Sequence, residues 1–464
     1  MFMWEIRGDT PFNESTSLLN SISSVLNTYT VGLDRPLIMG YWSDWNVYSM
    51  DKTTRAIPEP AYGLPNSFDA NGMLVVNQDF SHKLEGLNTI AYSFIEAQSQ
   101  THTYLDHQTG QMVTVDNKTP EAIGTLYFND PRSDLAMPGN SPTQDAFCIK
   151  NKAICSFALL NRVNPIDLKD GTKMGNFNAF SQLNHIDSHN PLGPLRKIIS
   201  VGGFGHDASF EDAFNSPNGI DNFVSSAKAI IDGYQLDGID LDYENPQMTA
   251  QNAEQFVLLI KKLKMAMPDK IISITILSDP AYLNGTRDGQ YGFSKGTLSK
   301  IAKYVNYVNL MTYDFFGAFN FNTQGTGTTA FITNLTIPSE APANYLFSID
   351  LSVNAALKAG IATSQLSVGI PAYGRALAGI SSEKGGLFQP ILSSATIPRG
   401  DLDLADCQTT ISPLGPNSCS GSFQYKYIIR NMLNQGFTEI NRLSLDQIII
   451  GTTAYAISWT QPVH

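Results

Sequence analysis

Short apolar segments rich in β-branched residues alternate with helical patterns along most of the chain, and this alternation limits the folds available to it. In one helical pattern Phe256, Leu259, Ile260 and Leu263 recur at i, i+3, i+4 and i+7, as in a helix that packs one face on a sheet. Repeated strand–helix–strand units are typical of a parallel sheet in the α/β class. The predicted strands are Leu37–Gly40, Thr89–Phe94, Lys197–Gly202, Gly238–Tyr243, Ile271–Leu277, Tyr307–Met311 and Leu366–Ile370.

Two stretches interrupt the alternation. Residues 98–175 are polar and rich in Gly, Pro, Asn and Asp, whereas residues 376–464 contain several short β-like runs. Because α/β barrels with insertions extend past about 400 residues as one body, a chain of 464 residues can form a single barrel. We expect a catalytic barrel over residues 1–375, with 98–175 as a long loop insertion. A small α+β domain, complete or incomplete, is predicted over 376–464.

The four cysteines lie in these two interrupting stretches. Cys148 and Cys155 lie in the first, and Cys407 and Cys419 lie in the second. Their spacings match no zinc-binding pattern. Two local disulfides and four inert thiols are both compatible with the sequence.

The charge pattern excludes some partners. The chain has 30 Lys and Arg against 42 Asp and Glu, a net charge of −12, and it has no basic run that would bind a phosphate backbone. We therefore expect no nucleic-acid partner, whereas a neutral polysaccharide is compatible with an acidic surface. No apolar stretch reaches the roughly 18 residues of a membrane span, and the first 30 residues lack the pattern of a signal peptide.

The predicted strand Gly238–Tyr243 is the most informative, because acidic and apolar residues alternate along it. Residues two apart on a strand share a face, so Asp240, Asp242 and Glu244 form a row with steps of roughly 6.6 Å. In a β/α barrel the other strand face packs against helices, so this row points into the barrel. Burying an unpaired charge costs several kcal/mol, so a buried acidic row destabilises the fold. Its presence therefore indicates a function. A solvated edge strand is the alternative, and the apolar βα units on both sides disfavour it.

The position of Glu244 makes it the candidate general acid. Closely spaced carboxylates raise each other's pKa, so one of them stays protonated near neutral pH and can donate a proton. Glu244 is the last acid of the row, and Pro246 ends the strand just after it. It is therefore predicted at the C-terminal mouth of the barrel, where barrel active sites lie.

These acids belong to a longer motif that resembles the signature of a known family. Asp237, Asp240, Asp242 and Glu244 match all four acids of Asp-x-x-Asp-x-Asp-x-Glu, which marks the family 18 glycoside hydrolases, the chitinases. Tyr243 stands where many members have Trp, and Tyr is also familiar there. Five further segments are similar to family motifs in the family's own order: Gly40–Trp42, Ser93–Phe94, Ser200–Gly203, Met311–Asp314 and Gly369–Arg375. The resemblance spans residues 37–375 and implies a (β/α)8, or TIM, barrel.

The ends of the chain resemble the family in a different order. Phe2–Asp9 is similar to the family's eighth strand, normally near the C-terminus, and Leu18–Leu26 resembles its last helix. Gly421–Tyr425 and Ala454–Ala456 resemble the domain inserted after strand seven. We therefore expect a circularly permuted barrel with Met3–Ile6 as the eighth strand. A tandem array cut out of phase, or a fragment, would give the same sequence.

The resemblance also implies a mechanism, the hydrolysis of β-1,4-linked N-acetylglucosamine with retention, in which the substrate's acetamido group is the nucleophile. Glu244 protonates the glycosidic oxygen and then acts as a base on water. Asp242 accepts a hydrogen bond from the acetamido N–H and shares a proton with Asp240. Tyr313 orients the acetamido carbonyl, and Trp4 forms the floor of the site.

Further sugar-binding residues are predicted around these groups. By resemblance Asp314, Met311 and Arg375 line the pocket of the cleaved sugar. The other candidates are Tyr41, Phe94 and Trp45. Barrel core is the alternative for Tyr41, Phe94 and Met311, and a loop aromatic without a role is the alternative for Trp45.

The sequence predicts neither a metal nor a cofactor. Its seven histidines show no ligand spacing, and Gly202–Gly205 lacks the lysine and spacing of a phosphate-binding loop. The expected partner is chitin or a chitooligosaccharide, without nucleic acid or membrane, and the protein is expected to be a monomer. By resemblance it is also expected to be secreted, although no signal peptide is recognised in the chain.

Three other functions remain open at this point. An endo-β-N-acetylglucosaminidase acting on N-glycans uses the same chemistry, but its relatives typically lack an insertion after strand seven. A lectin-like member would bind chitin without cutting it, but such proteins lose the terminal acid that is present here as Glu244. An inactive chitin-binding fragment would keep the motifs on an incomplete barrel.

Overall fold

The structure of the protein is a computed structural model. The described residues are 1–4, 6–10, 12, 14–29, 37–42, 67–68, 74–75, 87–97, 101–106, 111–116, 123–128, 195–204, 207–244, 248–285, 292–293, 296–317, 327–401, 403, 407–409 and 418–432.

Strands and helices alternate as the sequence predicts. The strands are β1 (Phe2–Trp4), β2 (Met39–Trp42), β3 (Ser67–Phe68), β4 (Leu74–Val75), β5 (Thr89–Ala97), β6 (Thr101–Asp106), β7 (Gln111–Asp116), β8 (Leu126–Phe128), β9 (Arg196–Gly202), β10 (Gly238–Asp242), β11 (Ile271–Leu277), β12 (Tyr307–Met311), β13 (Leu366–Pro371), β14 (Tyr373–Arg375) and β15 (Ser422–Gln424). The α-helices are α1 (Leu18–Tyr29), α2 (Asp207–Asn215), α3 (Gly219–Gly233), α4 (Ala250–Ala266), α5 (Pro280–Leu283), α6 (Thr297–Ile301), α7 (Ile349–Lys358) and α8 (Tyr425–Tyr427). Short 3-10 helices cover Ile6–Gly8, Thr363–Gln365 and Glu383–Gly386. A π-helical turn covers Ile428–Met432.

Eight parallel strands close into a barrel. Their order around the ring is β2, β1, β13, β12, β11, β10, β9 and β5, and the pairing of β2 with β5 closes it. An antiparallel strand, β8, extends β5 at one end. The prediction of a (β/α)8 barrel is therefore confirmed.

The N-terminal strand completes this barrel. Phe2 pairs with Gly369 of β13 on one side and with Met39 of β2 on the other, both in parallel. This is the position expected for an eighth strand between the first and the seventh. The strand ends at Trp4 rather than Ile6, because the chain turns into a 3-10 helix over Ile6–Gly8. The circular permutation itself stays a prediction.

A buried carboxylate connects this strand to the helix that follows it. Asp9 is 2% exposed, and its oxygens accept hydrogen bonds from the backbone N–H groups of Leu18 and Leu19, both at 2.9 Å. The hydroxyl of Ser17 donates to the same side chain at 3.0 Å. Such capping of a helix N-terminus is worth about 1 kcal/mol. It fixes the first turn of α1 beside the start of the barrel.

Alternation along the barrel strands produces two separate cores. In β10, Ile239 and Leu241 are fully buried in the outer core, between the strands and the helices. The predicted helix residues Phe256, Leu259, Ile260 and Leu263 lie on α4 in this same core. The inner core lies within the ring and contains Phe2, Met39, Tyr41, Ala91, Ile198, Ile271 and Met311. Side chains that point away from the helices therefore enter the barrel.

Beyond β13, the last barrel strand in chain order, the described residues include a small antiparallel sheet. β14 pairs with β15 in antiparallel fashion, Gly374 opposite Phe423. A disulfide joins Cys407 to Cys419, which resolves the two alternatives for that pair. Cys148 and Cys155 lie outside the described residues. None of the described helices is long and apolar enough to cross a membrane.

Candidate active site

The three acids predicted to form a row lie on β10 and just after it. Asp240 is fully buried, whereas Asp242 and Glu244 are partly exposed. Tyr243, between them, points the other way and packs its ring 5.1 Å from Phe210 and 5.2 Å from Phe256. The alternation therefore directs the acids into the barrel and the aromatic ring toward the helices.

Asp240 is enclosed by hydroxyl groups from the neighbouring strands. The hydroxyls of Tyr41, Ser200 and Thr275 each lie 2.9 Å from its Oδ2. The hydroxyl of Ser273 donates to Oδ1 at 2.6 Å. A buried carboxylate with several donors is tolerated in a low-dielectric interior because its lone pairs are satisfied.

An amide from β12 completes this arrangement, which we call the Asp240 cage (Tyr41, Ser200, Ser273, Thr275 and Asn309). Asn309 Nδ2 lies 3.0 Å from the Tyr41 hydroxyl and 3.4 Å from Asp240 Oδ1. Burial raises the pKa of Asp240, and the hydrogen bonds from the four hydroxyls oppose that rise. The cage thus favours the ionised form of a carboxyl group that burial alone would neutralise.

Asp242 has a different environment, although it lies only one step further along the same face. Its Oδ1 is buried and accepts no hydrogen bond from the part of the chain that the structure describes. Burial raises its pKa well above the ordinary value, and the charges of Glu244, Asp240 and Asp207 raise it further. Of the two aspartates in the row, Asp242 is therefore the one that more readily keeps a proton.

Glu244 follows the end of β10 at the mouth of the barrel. Its backbone N–H donates to Asp207 Oδ1 at 3.0 Å, which ties the residue to the first turn of α2. Glu244 is close enough to both Asp242 and Tyr313 to raise their pKa values by its charge. The structure therefore brings these three predicted residues together.

Two glycines allow β9 to approach the acids closely. Gly202 has φ +104°, and a Cβ there would lie 2.3 Å from the backbone oxygen of Asp242. The N–H of Gly203 donates to that same oxygen at 2.8 Å. Only glycine fits this backbone, so the Ser200–Gly203 segment supports the acids by packing and by the hydroxyl of Ser200.

Aromatic side chains line the barrel beside the acids. Phe2 packs edge-on against Tyr41 at 5.3 Å and Tyr313 at 6.0 Å, and Trp4 packs against Tyr41 at 5.7 Å. Burial raises the pKa of Tyr313 well above its usual value, and the charges of Tyr373, Asp242 and Glu244 contribute. Tyr313 is therefore a neutral hydroxyl group at any ordinary pH, available as a hydrogen-bond donor.

Asp314 and Arg375 form a bidentate ion pair next to this aromatic group. Arg375 Nε lies 2.6 Å from Asp314 Oδ1, and its Nη2 lies 2.7 Å from Oδ2. Burial disfavours the charged form of Arg375, but the hydrogen bonds and charge of Asp314 raise its pKa above the ordinary value. The guanidinium also lies 5.4 Å from the ring centre of Tyr373. This pairing fixes the planar guanidinium at one orientation.

The other predicted residues lie in the barrel core, at the start of β10, or outside the described residues. Tyr41 is 1% exposed, and it contacts Asp240 through its hydroxyl and Phe2 and Trp4 through its ring. Met311 is 8% exposed and belongs to the inner core. Asp237, the first acid of the motif, accepts the backbone N–H of Lys197 at 2.7 Å near the start of β10. The side chain of Phe94 and all of Trp45 lie outside the described part of the chain.

Sequence reasoning missed four polar residues of the site. Ser273 and Thr275 alternate with isoleucines on β11, so both hydroxyls point into an otherwise apolar barrel. This alternation is the sequence pattern that could have indicated them. Asn309 likewise interrupts the apolar strand β12. Asp207 carries no comparable signal, because its contact depends on how α2 packs beside β10.

One group of potential metal ligands occurs among the described residues, and it lies outside the acid row. It consists of Asp403, Cys407 and Cys419. The two sulfurs are bonded to each other, and Asp403 Oδ2 accepts the backbone N–H groups of Gly400 and Ser420 at 2.7 and 2.6 Å. These groups stabilise a loop and offer no thiolate to an ion.

Curated relatives of this chain carry the name chitinase. Chitinase A1 from Niallia circulans is 27% identical over 255 residues, which cover 52% of this chain and 35% of that protein. Chitinase B from Serratia marcescens is 26% identical over 270 residues, which cover 52% of this chain and 53% of that protein. The chain thus spans about a third to a half of the length of these relatives.

Solved structures share the fold. Chitinase ChiA74 from Bacillus thuringiensis matches with a TM-score of 0.60 at 21% identity, covering 88% of this chain and 58% of that chain. The Group IV chitinase from Ostrinia furnacalis in complex with allosamidin matches with a TM-score of 0.51 at 18% identity, covering 86% and 78%. At such identities the likeness concerns the barrel alone.

The family comparison is broader than either of these. The family described as glycosyl hydrolases family 18 matches residues 37–438, which include the acid row and every motif from Gly40 to Arg375. This range covers well over half of the chain. With a closed parallel barrel and an acid row directed into it, the chain belongs to the glycosyl hydrolases of family 18.

Proposed function

We propose that the protein is a chitinase that hydrolyses β-1,4 linkages between N-acetylglucosamine units. The names of the curated relatives support this activity. The observation that carries the proposal is the contrast along one strand face, where Asp240 is satisfied by donors and Asp242 keeps a buried oxygen without one. Such an unpartnered acceptor is costly for folding and is typical of functional sites.

In the proposed mechanism Glu244 is the general acid and the substrate supplies the nucleophile. Glu244 donates its proton to the glycosidic oxygen while the acetamido carbonyl oxygen of the sugar on the non-reducing side attacks C1. This step breaks the glycosidic bond and forms an oxazolinium ion. Water then attacks C1 with Glu244 acting as the base, and the configuration at C1 is retained.

Asp242 is proposed to stabilise the positively charged intermediate. Its unpartnered oxygen is suited to accept a hydrogen bond from the acetamido N–H, and the charge of Asp240 lies one step below it. A proton shared within this pair lets the negative charge change place during the cycle. Tyr313, held neutral by burial and nearby acids, is proposed to donate its hydroxyl to the acetamido carbonyl.

The remaining predicted residues are proposed to form the sugar pocket. Trp4 is the proposed floor, because it belongs to β1 in the ring and packs on Tyr41. The Asp314–Arg375 pair and Met311 are proposed to line the wall beside Tyr313. Aromatic surfaces bind the apolar faces of sugar rings by burying area, while polar groups select the hydroxyl pattern.

We also propose the wider organisation that the sequence indicates. Residues 1–375 form the catalytic barrel, with strand eight and helix eight at the N-terminus and a long loop insertion over 98–175. Residues 376–464 form an α+β domain, complete or incomplete, at one side of the mouth. The antiparallel pairing of β14 with β15 supports this attachment. The protein is proposed to act as a secreted monomer on chitin or chitooligosaccharides.

Replacement of Glu244 by Gln tests the proposed activity. The amide keeps the shape but cannot donate the catalytic proton, so we expect kcat on a chitohexaose to fall about a hundred- to ten-thousandfold. Binding of the oligosaccharide should change little, as measured by calorimetry. Glu254→Gln, on the exposed surface of α4, is the matched control and should leave kcat unchanged.

Two outcomes contradict the proposal. Wild-type turnover retained in Glu244→Gln would remove Glu244 from its role. Cleavage of an N-glycan but not of chitohexaose by the wild-type protein would instead point to an endo-β-N-acetylglucosaminidase.

A further inference from the structure

An acid outside the signature motif contacts the candidate general acid. Asp207 is the first residue of α2, and its Oδ1 accepts the backbone N–H of Glu244 at 3.0 Å. In the sequence, Asp207 lies five residues after Gly202, the last residue of β9. The contact therefore joins the end of β10 to the helix that follows the preceding barrel strand.

A second contact, one helical turn later, involves the side chain of the residue before Glu244. Glu211 lies four residues after Asp207, on the same face of α2. Its Oε1 accepts the Tyr243 hydroxyl at 3.4 Å and Asn252 Nδ2 at 3.0 Å. Two consecutive residues beyond β10, Tyr243 and Glu244, are thus both tied to α2.

Asp207 also contributes to the electrostatic field at the acid row. The groups that face Asp242 are Asp240 and Glu244 from its own segment, Asp207 from α2, and the hydroxyls of Tyr41 and Tyr313. Burial is the largest cause of the raised pKa of Asp242, and the negative charge of Asp207 adds to those of Glu244 and Asp240. A fourth carboxylate therefore helps to keep a proton in the row.

We propose that Asp207 is a positioning residue of the active site, which holds Glu244 in place through its backbone N–H and places a fourth negative charge beside the acid row. The inference rests on the proposed function for its kinetic consequence. Asp207 is not part of the signature motif, whose acids lie on and just after β10. It reaches the site from the neighbouring helix α2, so the two-residue period of a strand does not predict it.

Two substitutions separate the hydrogen bond from the charge. Asp207→Asn keeps an oxygen acceptor for the Glu244 N–H and removes the charge. We expect kcat at its optimum to stay within about threefold of wild type, while the alkaline limb of the kcat/KM profile moves down by roughly half a unit to one unit. Asp207→Ala removes both contributions, and kcat should fall about tenfold or more at nearly constant KM.

Asp221→Asn is the matched control, because Asp221 occupies the first turn of the next helix, α3, and pairs on the surface with Lys262. Neither its kcat nor its pH profile should change. An unmoved alkaline limb in Asp207→Asn, or an unchanged kcat in Asp207→Ala, would overturn the inference.

A readout without substrate keeps this test independent of the proposed function. In protein labelled with 13C at the aspartate carboxyl groups, the Asp242 signal is assigned by its loss in Asp242→Asn. Its titration midpoint should fall in Asp207→Asn and stay in place in Asp221→Asn, and an unchanged midpoint in Asp207→Asn overturns the inference. If wild type shows no chitinase activity but the midpoint falls, the proposed function fails and the electrostatic role of Asp207 stands.

Discussion

Asp240 and Asp242 lie two residues apart on the same face of the same strand, yet their surroundings are opposite. Four hydroxyl groups and an amide from four other strands approach Asp240. Asp242 has three acidic neighbours and a buried Oδ1 that no described residue satisfies. Identical local structure therefore gives two different carboxyl groups, because the side chains of adjacent strands decide which charge is tolerated.

This difference separates a structural acid from a functional one. The Asp240 cage compensates for the desolvation of a charge, and it joins five strands through one side chain. Asp242 lacks that compensation, because its buried Oδ1 has no hydrogen-bond donor among the described residues. The desolvation penalty of this oxygen is not explained by folding stability and is consistent with a role in function. Strain kept at one residue while its neighbour is satisfied is the pattern expected of an active site.

The largest effect should come from removing Asp240. Asp240→Ala leaves several buried donors without their acceptor, so we expect the free energy of unfolding to fall by about 3 kcal/mol. Asp242→Ala removes an acid with an unsatisfied oxygen and should change stability by less than about 1 kcal/mol. Urea unfolding at pH 7 measures both, and equal losses in the two variants would abolish the distinction.

A smaller effect should come from one wall of the cage. Thr275→Val keeps the volume but removes one hydroxyl that lies 2.9 Å from Asp240, so we expect a loss of about 1–2 kcal/mol. Thr275→Ser keeps the hydroxyl, serves as the control for the lost bond, and should retain more of the stability. Urea unfolding measures both variants. A Val variant as stable as Ser would show that the cage does not depend on this group.

The smallest effect should be the pH dependence of Asp242→Asn. The folded-state pKa of Asp242 is raised, so its contribution is present below the unfolded pKa of about 3.9 and is lost as pH rises through the folded value. Relative to wild type, the variant should therefore gain stability between pH 4 and pH 7, on the order of 1 kcal/mol. Urea midpoints measured across this range test the sign. A difference that stays constant from pH 4 to pH 7 contradicts the raised pKa.

Much of the barrel could be predicted from local patterns. The strands Ile271–Leu277 and Tyr307–Met311 have the predicted bounds, because their apolar runs are bounded by clear turn residues. The predicted strand Leu37–Gly40 instead lies at Met39–Trp42, which is β2 of the structure. Its register is set by pairing with β5, Met39 opposite Thr89, which no local pattern reveals.

The candidate site also contains residues that a local pattern predicts and residues that it does not. The row of Asp240, Asp242 and Glu244 follows from the two-residue period of a strand. The partners of that row do not, because Ser273, Thr275 and Asp207 reach it from other elements. A hydroxyl residue in an apolar strand can be assigned to the site only when the residue next to it on the adjacent strand is known.

The sequence by itself determined the class of fold, the family motifs and the order of acids along one strand, since these depend on periodicity and on residues close in the chain. Tertiary structure alone decided which side chains enclose Asp240 and brought Asp207 close to Asp242 and Glu244. The physical reason is that a carboxyl group's charge state depends on donors and charges within a few ångströms, and parallel strands bring these together from residues far apart in the chain.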